Sequence, residues 1–163
     1  MPTKFIFDEN ELSKLPVRQR LEACTSVLKN EKDESSRSDA VWLAGDIADA
    51  NPGTAIFNEV ADLMAWILEN DNNCIVKHEA CYQIAASDMR KNIPNLIHTA
   101  LNDKSLIARH EAIEALGLMG AFDAKDLLLQ AINDPNPEIQ ATAWCAIKKL
   151  RRLEKLEKSS DKN

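Results

Sequence analysis

The chain has 163 residues, 45% of them hydrophobic and 28% charged, with 4 Gly, 6 Pro and a formal net charge of −6. That length suits one domain with a substantial core, in the composition of a folded helical protein rather than a disordered one. The acidic balance argues against a general nucleic-acid binder, which carries a basic patch, and weakly favours cationic or amine-bearing partners.

The N-terminal "MPTKFIFDENEL" has no long apolar stretch of the secretory kind, and no later run approaches the ~20 apolar residues of a membrane span. Cys24, Cys74, Cys81 and Cys145 are scattered without a CxxC. They read as small buried thiols in a reducing compartment, not as a disulfide framework or a zinc ribbon. The chain is therefore expected to be cytoplasmic.

In chain order the expected elements pair up. Leu12–Lys29 precedes Ser35–Asp49; after "ANPGT" come Thr54–Glu69 and Cys74–Met89; then Ile93–Leu101 and Ser105–Met119; after "MGAFD" come Ala124–Ile132 and Pro137–Leu156. Gly and Pro punctuate the stops, and Pro137 falls where a first-turn proline is tolerated. The organisation expected is one domain over 1–163, with repeats at about 12–50, 54–89, 92–119 and 123–156 and a flexible tail at 157–163.

The repeat can be counted. Asn-Asp or Asn-Glu occurs as Asn30-Glu31, Asn70-Asp71, Asn102-Asp103 and Asn133-Asp134, at spacings of 40, 32 and 31 residues. Ten residues after each Asn stands an alanine: Ala40, Ala80, Ala112 and Ala143. Eleven after stand Val41, Cys81, Ile113 and Trp144, and fourteen after Ala44, Ile84, Leu116 and Ile147. At about 100° per residue these offsets share one helical face, and no long period-two alternation argues a strand. Four such hairpins predict an all-α fold, a short α-solenoid in which each repeat buries its apolar stripe against its neighbours and the second helices line the concave side. The alanine offset suits close helix approach. Trp42, Trp66 and Trp144, near repeat boundaries, read as core.

Eight residues after each Asn come Ser38, His78, His110 and Ala141, and the next residues are Asp39, Glu79, Glu111 and Thr142. Only the two central repeats carry His-Glu. A histidine beside an apolar stripe is more often a packing residue, but the outer repeats show that the scaffold does not require this pair. Neighbouring helices lie ~8–10 Å apart, so imidazoles at equal offsets can converge on one ion with bonds of about 2 Å. Two His and one adjacent carboxylate would form the facial set of non-haem iron oxygenases, with positions left open. Ala85 and Gly117, seven after each His, would leave the ion uncovered. Tyr82 and Glu114, four after each His, are placed to orient the ligands from outside. Arg37, Lys77 and Arg109 precede the same offset and read as a solvated or salt-bridging row. His98 lies outside the register and reads as a surface or packing residue.

"KHEACYQIA" (77–85) and "RHEAIEALGLMG" (109–120) resemble the His-Glu-bearing HEAT-like repeats of the deoxyhypusine hydroxylase family, over roughly residues 18–153. The broader pattern R-x-E-A-x-x-A-L-G is shared with phycobilin-lyase-type repeats; the paired His-Glu is the specific part. The resemblance implies a solenoid of two four-repeat halves, with four His-Glu pairs holding a di-iron centre that hydroxylates the deoxyhypusine side chain of a translation factor with dioxygen. This chain matches one half. By position, His78, His110 and Glu111 would be iron ligands and Glu79 would bind the substrate amine, with Glu114 a further acidic group in the groove to attract it. Either two chains pair as a homodimer to complete the site, or the centre holds one iron per chain, or catalysis is absent. The dimer accounts for most of the pattern. A non-catalytic HEAT-repeat module gripping a protein partner is the alternative.

Overall fold

The computed structural model describes residues 8–161, and every regular element among them is helical. Pro16 divides the first expected helix. Where one helix was expected over 12–29, there is a short α1, Glu9–Ser13, and then α2, Val17–Asn30. The residue before a proline is pushed out of the α region, so Leu15 cannot carry a helix into Pro16. The chain continues as α3 (Glu34–Asp49), α4 (Ala55–Asn70), α5 (Cys74–Ala86), α6 (Ile93–Asn102), α7 (Leu106–Leu118), α8 (Lys125–Ala131) and α9 (Pro137–Ser160). Thus α9 stays helical beyond Leu156, into the segment expected to fray.

Each hairpin turn also starts the second helix of its repeat. Asp33, Asn73, Ser105 and Asn136 accept hydrogen bonds from the first free N–H groups of α3, α5, α7 and α9, which fixes where each helix begins and hence the phase of its faces. The ends of α5 and α7 match as well. Asp88 (φ 48°) and Gly120 (φ 61°) turn left-handed, and the N–H groups of Met89 and Ala121 reach back to Ile84 O and Leu116 O at 2.9 and 3.0 Å. That is a Schellman closure, repeated thirty-two residues apart.

The pairs α2/α3, α4/α5, α6/α7 and α8/α9 are hairpins, and α3, α5, α7 and α9 pack in an unbroken row. This is an all-α solenoid. The four register alanines are completely buried, and their small side chains let the row close up. Grooves of about 580 and 540 Å³ remain between the first helices, one beside α6 and one between α2 and α4. The second-helix layer is therefore the tighter one.

Two tryptophans depart from the core reading. Trp42 and Trp144 are exposed by 45% and 43%. Trp42 stacks on Tyr82, with ring centroids 5.3 Å apart. Trp144 occupies the offset that a following second helix would cover, and no such helix follows α9 among the described residues. Trp66 is half-buried, with the Lys29 ammonium 5.3 Å from its ring centroid. The four cysteines are free; Cys24 and Cys81 are buried as expected, whereas Cys145 is exposed.

The basic row is a ladder of ion pairs between repeats. Arg37 grips Asp71 with both ends of its guanidinium fork, at 2.8 and 3.2 Å. Lys77 Nζ lies 2.5 Å from Asp103 Oδ2, and Arg109 pairs with Asp134. The second oxygen of each aspartate accepts from the backbone N–H two residues on, in Asn73, Ser105 and Asn136. The Asn-Asp step thus ties its own turn and receives the basic side chain of the preceding repeat. Arg109 holds the Asp134 carboxyl below the usual carboxylate range, chiefly through their hydrogen bond.

Candidate functional site

Because α5 and α7 start on equivalent caps and pack side by side, residues at equal offsets become neighbours. His78 Nε2 lies 3.1 Å from Glu111 Oε2, joining an imidazole of one repeat to a carboxylate of the next. One turn along α7, His110, Glu111 and Glu114 offer ligand atoms that all lie within 4.8 Å of one another. His110 Nε2 faces Glu114 Oε2 at 3.9 Å, and His78 Nδ1 faces Glu79 Oε1 at 3.6 Å. All five expected His and Glu residues of the central repeats therefore lie along one continuous seam.

Their environments differ. The Glu111 side chain is only 9% exposed, while the His78 and His110 side chains are 35% and 44% exposed. Burial pushes the Glu111 carboxyl above the usual carboxylate range, and the neighbouring His78 opposes that rise. Among the described residues Glu111 has no Lys or Arg ion-pair partner. A buried carboxylate without a fixed cation is costly unless something positive can occupy its site. The cluster of His110, Glu111 and Glu114, with the His78 imidazole against Glu111, is a nitrogen and oxygen donor set that suits a divalent transition metal.

One expected role falls elsewhere. Gly117 does not leave space over the seam; it faces α9, where an added Cβ would come within 2.9 Å of Ala146 Cα and Cβ. Its smallness lets α7 and α9 touch. Tyr82 packs its ring against Trp42 of α3. His98 sits on α6, its Nδ1 3.3 Å from Asn102 Nδ2, away from the seam.

One residue at the seam escaped the sequence reading. His110 Nδ1 lies 2.7 Å from Thr142 Oγ1. Thr142 occupies the offset that carries Glu in the two preceding repeats, so His110 meets the same position of the next repeat that His78 meets in Glu111, through Nδ1 rather than Nε2. The register contained this signal, since the partner of each His is the residue one position later in the next repeat.

HEAT repeats match residues 60–148, more than half of the sequence. The chain belongs to the HEAT-repeat family. The chain is 32% identical, over 142 residues, to the deoxyhypusine hydroxylase of Debaryomyces hansenii, covering 74% of this chain and 43% of that protein. Against the deoxyhypusine hydroxylase of Homo sapiens it is 31% identical over 94 residues, covering 56% and 31%. The structure of human deoxyhypusine hydroxylase in complex with glycerol shares the fold, with a TM-score of 0.74 at 22% identity over 90% of this chain and 49% of that one. The chain spans less than half the length of each of these relatives. It resembles one half of a deoxyhypusine hydroxylase.

Proposed function

We propose that this HEAT-repeat chain is an iron-dependent hydroxylase of the deoxyhypusine hydroxylase type, acting with dioxygen on an amine-bearing side chain of a protein substrate. The observation that carries the reading is Glu111, which clusters with His110 and Glu114 on α7 and meets His78 Nε2 of α5 at 3.1 Å. His78, His110 and Glu111 would hold the iron, with Glu114 close enough to join them. When bound, iron supplies the activation of dioxygen.

The remaining work belongs to the protein. The buried Glu111 offers a charge that water does not screen well. Glu79 and Glu114 flank the imidazoles and would attract a long cationic side chain, orienting it along the seam. The tighter packing of the second helices supports a solenoid curved toward that layer, so that the seam lines its inner face. Trp42 and Tyr82 extend the same face with exposed aromatic surface, and that patch also favours the second reading, a HEAT module that docks a protein without catalysis.

On this reading a homodimer brings two seams together as a di-iron centre, the alternative being a separate mononuclear centre in each chain. The natural substrate on this reading is the translation factor bearing deoxyhypusine. The free thiols, together with the lack among the described residues of any helix long and apolar enough to cross a membrane, are compatible with a cytoplasmic setting.

Metal analysis of aerobically purified protein tests the reading first. About one iron per chain is expected, lost in His78→Ala and His110→Ala. Incubation with the deoxyhypusine-bearing factor should then add the mass of one oxygen. Metal-free protein, with both variants binding a partner as the parent does, would establish the docking module instead.

A further inference from the structure

We infer that Thr142 is a positioning residue, locking His110 in the tautomer that turns a bare Nε2 toward Glu111 and Glu114. The inference rests on the metal-site reading above but is decided by hydrogen-bond logic local to α7 and α9. A threonine hydroxyl has one hydrogen. Thr142 Oγ1 spends it on Glu138 O, 2.7 Å away and one turn earlier in α9. Toward His110 Nδ1, at 2.7 Å, the same oxygen can therefore only accept, and Nδ1 must carry the ring proton. In the neutral ring Nε2 then presents a lone pair.

With Nδ1 committed to Thr142, Nε2 is the ring nitrogen left for the carboxylates: Glu114 Oε2 stands 3.9 Å from it, and Glu111 belongs to the same cluster. A bare ring nitrogen has no proton to share with carboxylates, so a cation is the partner that suits all three groups. Thr142 is 6% exposed, so water does not compete easily for its hydroxyl. Its backbone carbonyl partner is fixed within the first turns of α9, whose start is set by the Asn136 cap. The fourth repeat thus contributes to the seam without contributing a ligand, by replacing the Glu of its register with a neutral acceptor that dictates which nitrogen is free.

The test uses the metal-free chain and its Thr142→Val and Thr142→Ser variants. Long-range proton–nitrogen NMR at mildly alkaline pH reports which ring nitrogen of His110 bears hydrogen. The parent and Thr142→Ser should show protonated Nδ1, and Thr142→Val, nearly equal in shape, should shift toward protonated Nε2. Cobalt(II), added as the probe ion and followed by calorimetry, should bind Thr142→Val about 10–100-fold more weakly than the parent, with Thr142→Ser close to the parent. Protonated Nε2 in the parent would overturn the inference, as would equal cobalt affinity in parent and Thr142→Val. A parent that binds no cobalt yet shows protonated Nδ1, lost in Thr142→Val, would uphold the hydrogen-bond assignment and overturn the metal reading instead.

Discussion

Among single residues, the thiols and the ladder aspartates make the sharpest contrasts. Desolvation pushes the Cys24 thiol up to about 11 and raises that of Cys81 further still. Because the thiolate is the reacting species, iodoacetamide should label exposed Cys145 first in the native protein. Cys24 and Cys81 should react only on unfolding, and early labelling of Cys81 in a peptide map would contradict its burial. Asp134 runs the other way. Its folded-state pKa lies below the unfolded value of 3.8, so its contribution to stability is complete above that value and is lost as pH falls through the lower folded one. Asp134→Asn should therefore lower stability by about 1–3 kcal/mol at pH 7. In urea titrations the gap from the parent should close in strong acid; a gap that stayed constant with pH would mean the pair adds no charge-dependent stability.

At the level of elements, the close approach of α7 to α9 decides whether Thr142 can reach His110. Gly117 makes that approach possible, since a Cβ there would strike Ala146 backbone at 2.9 Å. Gly117→Ala should cost about 1–3 kcal/mol by overpacking and, by displacing α9, weaken cobalt binding as well. Unchanged thermal stability would show that the contact relaxes freely. A comparable contact joins α3 and α5, where the Gln83 side chain lies over Gly45. The hairpin turns were legible because their chemistry is local: Asn, Asp and Ser at helix starts and Gly120 at a stop act over four residues. The split at Pro16 was legible in principle by the same local rule. The extension of α9 to Ser160 was not, since a charged amphiphilic stretch reads alike as a helix or as a solvated tail.

For the whole molecule, the repeating ladder from Arg37 to Asp134 makes each hairpin depend on its neighbour. Stability of such arrays is approximately a sum over repeats and interfaces, so unfolding should propagate from whichever end is loosened. The dimer belongs to this scale too. Light scattering should give a mass near twice 18.2 kDa at working concentration, with iron content and mass rising together; a strict monomer that holds iron would leave a mononuclear seam. Trp144, uncovered at the end of the row, is the natural reporter, since its fluorescence should blue-shift on association if that end is occupied.

Counting offsets from each Asn was enough to establish four helical hairpins, the buried alanines and the His-Glu seam, because a tandem array copies one local pattern and its period survives in one dimension. Tertiary structure alone decided which partner each seam residue meets. Trp42 turned outward, Gly117 served α9 and Thr142 entered the site, since these outcomes depend on the distance and rotation between neighbouring helices, quantities that no periodicity within a single helix contains.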